Sequence, residues 1–230
     1  MKKYLFSYIL ISFTLFTNGQ ISGYKYEQFG IMIGTINYSG DVTPNYSNPN
    51  NILKEMRPTL GVGYYKGLSP IYIVGTEMSY GILYANEANH RVVTRPFEFT
   101  SHIVQFNLVN EVIARRFGKY FYTTKWAPYG KFGFGFGIVN PTLHQPKILN
   151  ENIFERKDQM YFFVNYFVGI GLKLRIRYNY SLSVEGLFHF TNRDLLDGYL
   201  DKRVNSFNDT YGGIRFILSR YNFGKNLNVK

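Results

Sequence analysis

Cysteine is absent from the 230 residues, so disulfides and thiolate metal sites are excluded. Tryptophan occurs once and proline eight times, while charged residues make up 18% of the chain. No apolar run reaches the roughly 20 residues that a spanning helix needs, the N-terminal one from Tyr4 to Phe16 included. Histidine is scarce too: the four, His90, His102, His144 and His189, are dispersed over two loop segments and two strand segments, without metal-ligand spacing. No cofactor, metal or small-molecule substrate is expected. Catalysis is not expected either, since Ser101 and His102 are consecutive and point to opposite faces of one strand.

What the chain has in abundance is Tyr (21), Phe (21) and Gly (22). They are arranged with period two. In KFGFGFGI, Phe132, Phe134, Phe136 and Ile138 share one face, and Lys131, Gly133, Gly135 and Gly137 share the other. That alternation is the signature of a strand with two unlike faces, and no amphipathic helix produces it. The GxGxG within it lacks a following helix, so it is not a phosphate loop. Small inward residues that let a narrow barrel close explain it better.

The same reading places strands at 28–39, 56–66, 71–84, 97–117, 127–140, 160–178, 181–191 and 209–220. The connections between them alternate strictly. Segments 67–70, 118–126 and 179–180 are short, whereas 40–55, 85–96, 141–159 and 192–208 are long and rich in Asn, Pro and charge. Eight antiparallel strands, an apolar face outward and a small or polar face inward describe a transmembrane β-barrel of the outer-membrane type, with short turns toward the periplasm and long loops outside. Residues 1–20 carry Lys2 and Lys3, then an apolar stretch, and are expected to be a cleaved signal peptide, leaving 21–230 as one barrel domain.

Charge on the inner face marks a candidate lumenal network of mixed sign: Glu77, Glu111, Arg115, Lys131, Lys173, Glu185 and Arg215. An unpaired charge in so narrow an interior would be costly, which argues for a structural cluster over an ion path. The net charge of +11 does not come from the long loops, where acids and bases nearly cancel. It gathers at the expected periplasmic rim, in Lys66, Arg116, Lys119, Lys125, Arg175, Arg177 and Arg220. Two readings fit this rim: side chains reaching up to headgroups of the surrounding outer-membrane lipid, or a docking face for acidic periplasmic subunits. Nucleic acid is excluded by compartment, in spite of the high isoelectric point.

Two stretches carry a family resemblance. GTINYSGD, with Gly34, Asn37, Tyr38, Gly40 and Asp41, resembles the G-x-x-N-Y-x-G-D signature of the PorG-like family of Bacteroidetes outer-membrane proteins. FTNRDLLDGYLD, with Asp194, Asp197 and Asp201, is similar to that family's D-Y-L-D-D-like segment, although which aspartates correspond is open. The resemblance implies a non-catalytic outer-membrane component of type IX protein secretion, working beside periplasmic ring or other secretion-machine subunits. Alternatives are a stand-alone surface barrel with binding loops and, further off, a lipid-modifying enzyme. Locally, Gly40 is expected to permit a positive φ and Asp41 to cap the turn that ends the first strand.

Overall fold

The computed structural model describes residues 26–40, 49–90, 97–118, 121, 123–144, 154–156, 159–192, 196–201 and 209–223. Asp41, Lys119, Asp194 and the expected signal peptide lie outside them. Eight long strands close into one barrel: β1 (Tyr26–Ser39), β2 (Arg57–Gly67), β3 (Tyr72–Asn86), β4 (Glu98–Ile113), β5 (Trp126–Leu143), β7 (Tyr161–Arg177), β8 (Tyr180–Thr191) and β10 (Thr210–Asn222). Every pairing is antiparallel between chain neighbours, and β1 closes the circle on β10, from Glu27 opposite Asn222 to Ser39 opposite Thr210. Closure leaves no edge in the barrel, so the main chain of the spanning strands is paired within the sheet without water.

Parity decides which residues meet lipid. Phe132, Phe134, Phe136 and Ile138 of β5 are exposed, and so are Phe29, Ile31 and Ile33 of β1 and Phe216 and Leu218 of β10. A continuous apolar exterior of this extent suits hydrocarbon, not water. The residues between them turn inward, and an eight-stranded interior has just enough room for their side chains. Gly135 shows how little is spare: a Cβ there would strike the Phe106 carbonyl and the Asn107 side chain.

Two apolar layers fill the two ends of the lumen. At the end carrying the long loops, Ile36, Tyr38, Leu83, Phe99 and Tyr211 pack around Leu196. At the end carrying the short turns, Tyr26, Tyr65, Phe117, Tyr221 and Phe223 pack together.

The loops hold structure that period-two reading does not detect. A helix, α1 (Pro49–Glu55), and a 3-10 turn at Glu87–His90 lie in the first two. Two strands of three residues, β6 (Phe154–Arg156) and β9 (Tyr199–Asp201), pair across the third and fourth loops into a separate two-stranded sheet.

One strand ends earlier than expected. β4 stops at Ile113, not Phe117, because the chain turns beneath the barrel there: the Phe117 amide donates to the Pro70 carbonyl, and Phe117 is fully buried. Gly118 takes a φ of 120°, which a side chain would resist, and packs against the Tyr26 ring.

Candidate functional site

The centre of the lumen holds six ionised side chains from six strands. Lys131 Nζ lies 2.7 Å from both Glu77 and Glu185 and 3.5 Å from Glu111. Arg215 donates to Glu77 at 2.8 Å and to Glu185 through both Nε and Nη2, at 2.9 and 2.5 Å. Lys173 donates to Glu111 at 2.8 Å. Three carboxylates face three cations, so the cluster is neutral, and Tyr65 and Tyr129 add hydroxyl donors to Glu77 and Glu185 at 2.6 and 2.7 Å. An interior salt bridge survives only when such geometry offsets its desolvation.

Strands β1 and β2 contribute no charge to this cluster, and the reason is spatial. They lie between β10 and β3, and they turn Gly30, Gly34, Gly61 and Gly63 inward. Gly34 sits opposite Arg215 and Gly63 opposite Glu77. A Cβ at Gly34 would strike the backbone at Ile214 and Arg215. The glycines clear the path along which the Arg215 guanidinium crosses two strands to reach Glu77.

Arg115 does not belong to the cluster. The sequence counted it as an inward residue of the fourth strand, but β4 ends two residues earlier, so the alternation no longer applies. Arg115 is exposed, with its guanidinium over the Trp126 ring at 4.5 Å.

Arg175 lies at the turn end with the rest of the basic rim but is half-buried: it has the parity of Lys173, and its guanidinium lies 4.3 Å from the Phe117 ring. It donates to the carbonyls of Tyr178 and Gly118 and helps close the turn end. A β-bulge between Arg175 and Arg177 shifts the register there. Lys66, Arg116, Lys125, Arg177 and Arg220 are exposed at the turn end.

The loop end joins the two sequence motifs. Tyr38 donates to Asp197 at 3.0 Å and also to Asp209. Asp209 accepts the Leu196 amide at 2.7 Å, and the Leu196 carbonyl accepts Ser101 at 2.5 Å. Residues 196–198 of the fourth loop are thus held in the mouth, where Leu196 and Asp197 are each 1% exposed and Gly198 adopts a φ of 77°.

Each of the first motif's described residues has a task in this arrangement. Gly34 admits Arg215, Asn37 donates to the Ile52 carbonyl at 2.8 Å and holds α1, and Tyr38 fastens the loop. Gly40 differs from expectation: among the described glycines only Gly118 and Gly198 have positive φ. Gly40 is required for space, because a Cβ there would strike the Tyr38 hydroxyl and the Asp209 carboxylate. Asp201 lies in β9.

Among the described residues no group of three or more His, Asp and Glu side chains could hold a metal. Ser101, already bonded to Leu196, is buried, while His102 faces out and accepts or donates to the Tyr80 hydroxyl at 2.7 Å. Thr100 and His144 pair at 2.8 Å on the outer wall. Neither imidazole has a carboxylate partner among the described residues, so no nucleophile, base and orienting acid come together in either pair there.

A family model described as "Domain of unknown function (DUF6089)" matches residues 2–222. The chain belongs to the DUF6089 family. No curated protein matches it. Among solved structures, this DUF6089 chain is similar to the N-terminal β-barrel domain of Pseudomonas aeruginosa OprF, with 13% identity over 84% of this chain and 96% of that one and a TM-score of 0.42. It is likewise similar to the attachment invasion locus protein Ail of Yersinia pestis, crystallised with sucrose octasulfate, with 11% identity, 86% and 96% coverage and a TM-score of 0.42. A third similar structure is the outer-membrane enzyme PagL, with 13% identity, 84% and 98% coverage and a TM-score of 0.39.

Proposed function

We propose that this DUF6089 protein is a non-catalytic component of the outer membrane, oriented with its short turns in the periplasm, that docks acidic periplasmic subunits of the type IX secretion machinery through its basic rim. The observation that carries this reading is the separation of charge. The lumen holds three cations against three carboxylates and is packed at both ends, so it offers neither a pore nor a net field. Of the described cations outside the cluster, Lys54, Arg57 and Arg156 lie at the loop end, whereas Lys66, Arg115, Arg116, Lys125, Arg177 and Arg220 are exposed together at the turn end. A one-signed surface of this kind accelerates encounter with a partner of opposite sign and rejects basic ones. The resemblance of the GTINYSGD stretch to the PorG-like signature supplies the machine.

The test is site-specific photocrosslinking in living cells from positions 116 and 125, with a position on the outer loops as control. Capture of periplasmic proteins from the rim, together with a block in protein secretion on gene deletion, supports the reading. Capture of none, with secretion intact, ends it.

A second reading draws on the β6 and β9 sheet, which pairs residues 154–156 of the third loop with residues 199–201 of the fourth. Such a sheet suits a barrel that binds outside the cell. Removing residues 145–153 would then abolish attachment and leave secretion unchanged.

A further inference from the structure

Among the described residues the basic rim contains one acid, Glu27. Glu77, Glu111 and Glu185 lie in the lumenal cluster, and the other described acids lie at the loop end. Glu27 is exposed on the outer wall at the turn end of β1, directly opposite Lys66 of β2. On its other side stands β10, whose Arg220 pairs in register with the next residue but one, Phe29. Neighbouring strands are about 4.8 Å apart, so both cations are within reach of the carboxylate. Even so, among the described residues Glu27 forms no ion pair with either one. Instead, a groove of about 490 Å³ opens among Glu27, Phe29, Tyr64 and Arg220, with the Tyr64 hydroxyl beside the Glu27 carboxylate.

Its position along the barrel is telling. Toward the membrane the outward residues of the same strands are apolar: Ile31 and Ile33 on β1, Leu60 and Val62 on β2, Phe216 and Leu218 on β10. At the groove they change to charge. It therefore sits where hydrocarbon gives way to headgroups, and it presents an anion and a guanidinium held apart.

We propose that this groove, between Glu27 and Arg220 on the outer wall, binds the zwitterionic headgroup of a phosphatidylethanolamine of the periplasmic leaflet. The phosphate accepts charge-assisted hydrogen bonds from the Arg220 fork, with Lys66 adding positive charge, and the primary ammonium donates to Glu27. The acyl chains run along Phe29 and Ile31. An anionic lipid without an ammonium satisfies Arg220 but leaves Glu27 facing a negative neighbour, so the site selects between two phospholipids that share a phosphate. This inference rests on the reading of the chain as an outer-membrane barrel, and the two fail separately: a barrel that does not insert loses its heat-dependent gel shift, whereas a barrel without the site keeps it.

The full-length protein, purified in detergent, would be offered phosphatidylethanolamine and phosphatidylglycerol in equal amounts and read by native mass spectrometry. The wild type is expected to retain phosphatidylethanolamine several-fold over phosphatidylglycerol. Glu27→Gln should bring the ratio close to one, and Arg220→Gln should lower retention of both lipids. Arg220→Lys, which keeps the charge without the fork, should fall between, and Arg177→Gln, on the same rim outside the groove, should match the wild type. Soluble O-phosphoethanolamine is not expected to displace the lipid. The proposal is overturned if Glu27→Gln and Arg220→Gln keep the wild-type pattern, if Arg177→Gln changes it equally, or if the soluble headgroup displaces the lipid at comparable concentration.

Discussion

The hydroxyl of Tyr38, at the end of β1, donates to the carboxylate of Asp197, 159 residues further along the chain. This bond links the GTINYSGD and FTNRDLLDGYLD stretches, and it fixes Leu196 and Asp197 inside the mouth of the barrel. Because Asp209 accepts both Tyr38 and the Leu196 amide, the latch has two points of attachment, one on a side chain and one on the backbone.

Tyr38→Phe removes the donor and retains the ring, which packs edge-on against Phe99 with centroids 4.9 Å apart. A hydrogen bond to a charged acceptor contributes about 1.5–3 kcal/mol, enough to release a loop without unfolding a barrel. The variant is expected to insert normally and keep its heat-dependent gel shift. Hydrogen exchange at Leu196 should rise by one to two orders of magnitude, since about 1.4 kcal/mol corresponds to a factor of ten. Unchanged exchange would show that apolar packing of Leu196 alone holds the loop.

The ionic cluster makes a prediction about which cation matters most. Lys131 contacts all three carboxylates, whereas Lys173 contacts Glu111 alone. Lys131→Met leaves an uncompensated negative charge in a buried cluster and should cost about 3–5 kcal/mol. Lys173→Met should cost less, because Lys131 remains 3.5 Å from Glu111. Combining Lys131→Met with Glu185→Gln removes one charge of each sign and should recover part of the loss. Urea titration of the folded barrels in lipid vesicles would measure all three, and a double variant no more stable than Lys131→Met would contradict the account.

Much of this could be read in the chain before any coordinates, and the boundary of what could be read has physical causes. The eight strands were legible because lipid on one side and a crowded lumen on the other force period two onto every spanning residue, as in Phe132 to Ile138. Where that force ends, so does the reading. Arg115 was placed inside because alternation was extended past Ile113, beyond the last residue that the lumen constrains. Arg175 was recoverable, since it shares the parity of Lys173. The contact of Tyr38 with Asp197 was not, because a loop folding back into a mouth leaves no periodic trace. Neither did the β6 and β9 pair, whose three-residue strands are too short to show a period. The tasks of Gly34 and Gly40 also needed coordinates, for a glycine kept for space looks in sequence like one kept for its φ.

The glycines of β5 separate a glycine kept for space from one that no neighbour constrains. Gly135 faces the lumen, where an added Cβ would meet the Phe106 carbonyl, a backbone atom that cannot move aside without breaking a ladder bond. Gly130, on the outward parity of the same strand, has nothing within 4 Å of such a Cβ. Gly135→Ala should therefore destabilise the barrel by about 1–3 kcal/mol, the usual range for an overpacked interior. Gly130→Ala should be neutral or slightly stabilising, because alanine restricts the unfolded chain. Equal effects in paired unfolding curves would mean that the lumen is looser than its packing indicates.

The assignment of faces to lipid and lumen is open to a direct energetic test at Phe134. Its side chain is 52% exposed on the outer wall, within a band that runs from Phe132 to Ile138. In water, replacing an exposed Phe by Arg would raise solubility and change stability by only a few tenths of a kcal/mol, as surface substitutions usually do. In hydrocarbon the same change carries a charge into the bilayer, at about 2–4 kcal/mol near the midplane and about 0–1 kcal/mol near either interface. Phe134→Arg should therefore destabilise the vesicle-embedded barrel by an amount in the upper range. Trp126→Arg, eight residues earlier and beside Arg115 at the turn end, should cost far less. Matching penalties at the two positions, or none at Phe134, would mean that this wall does not face lipid and that the barrel spans no membrane.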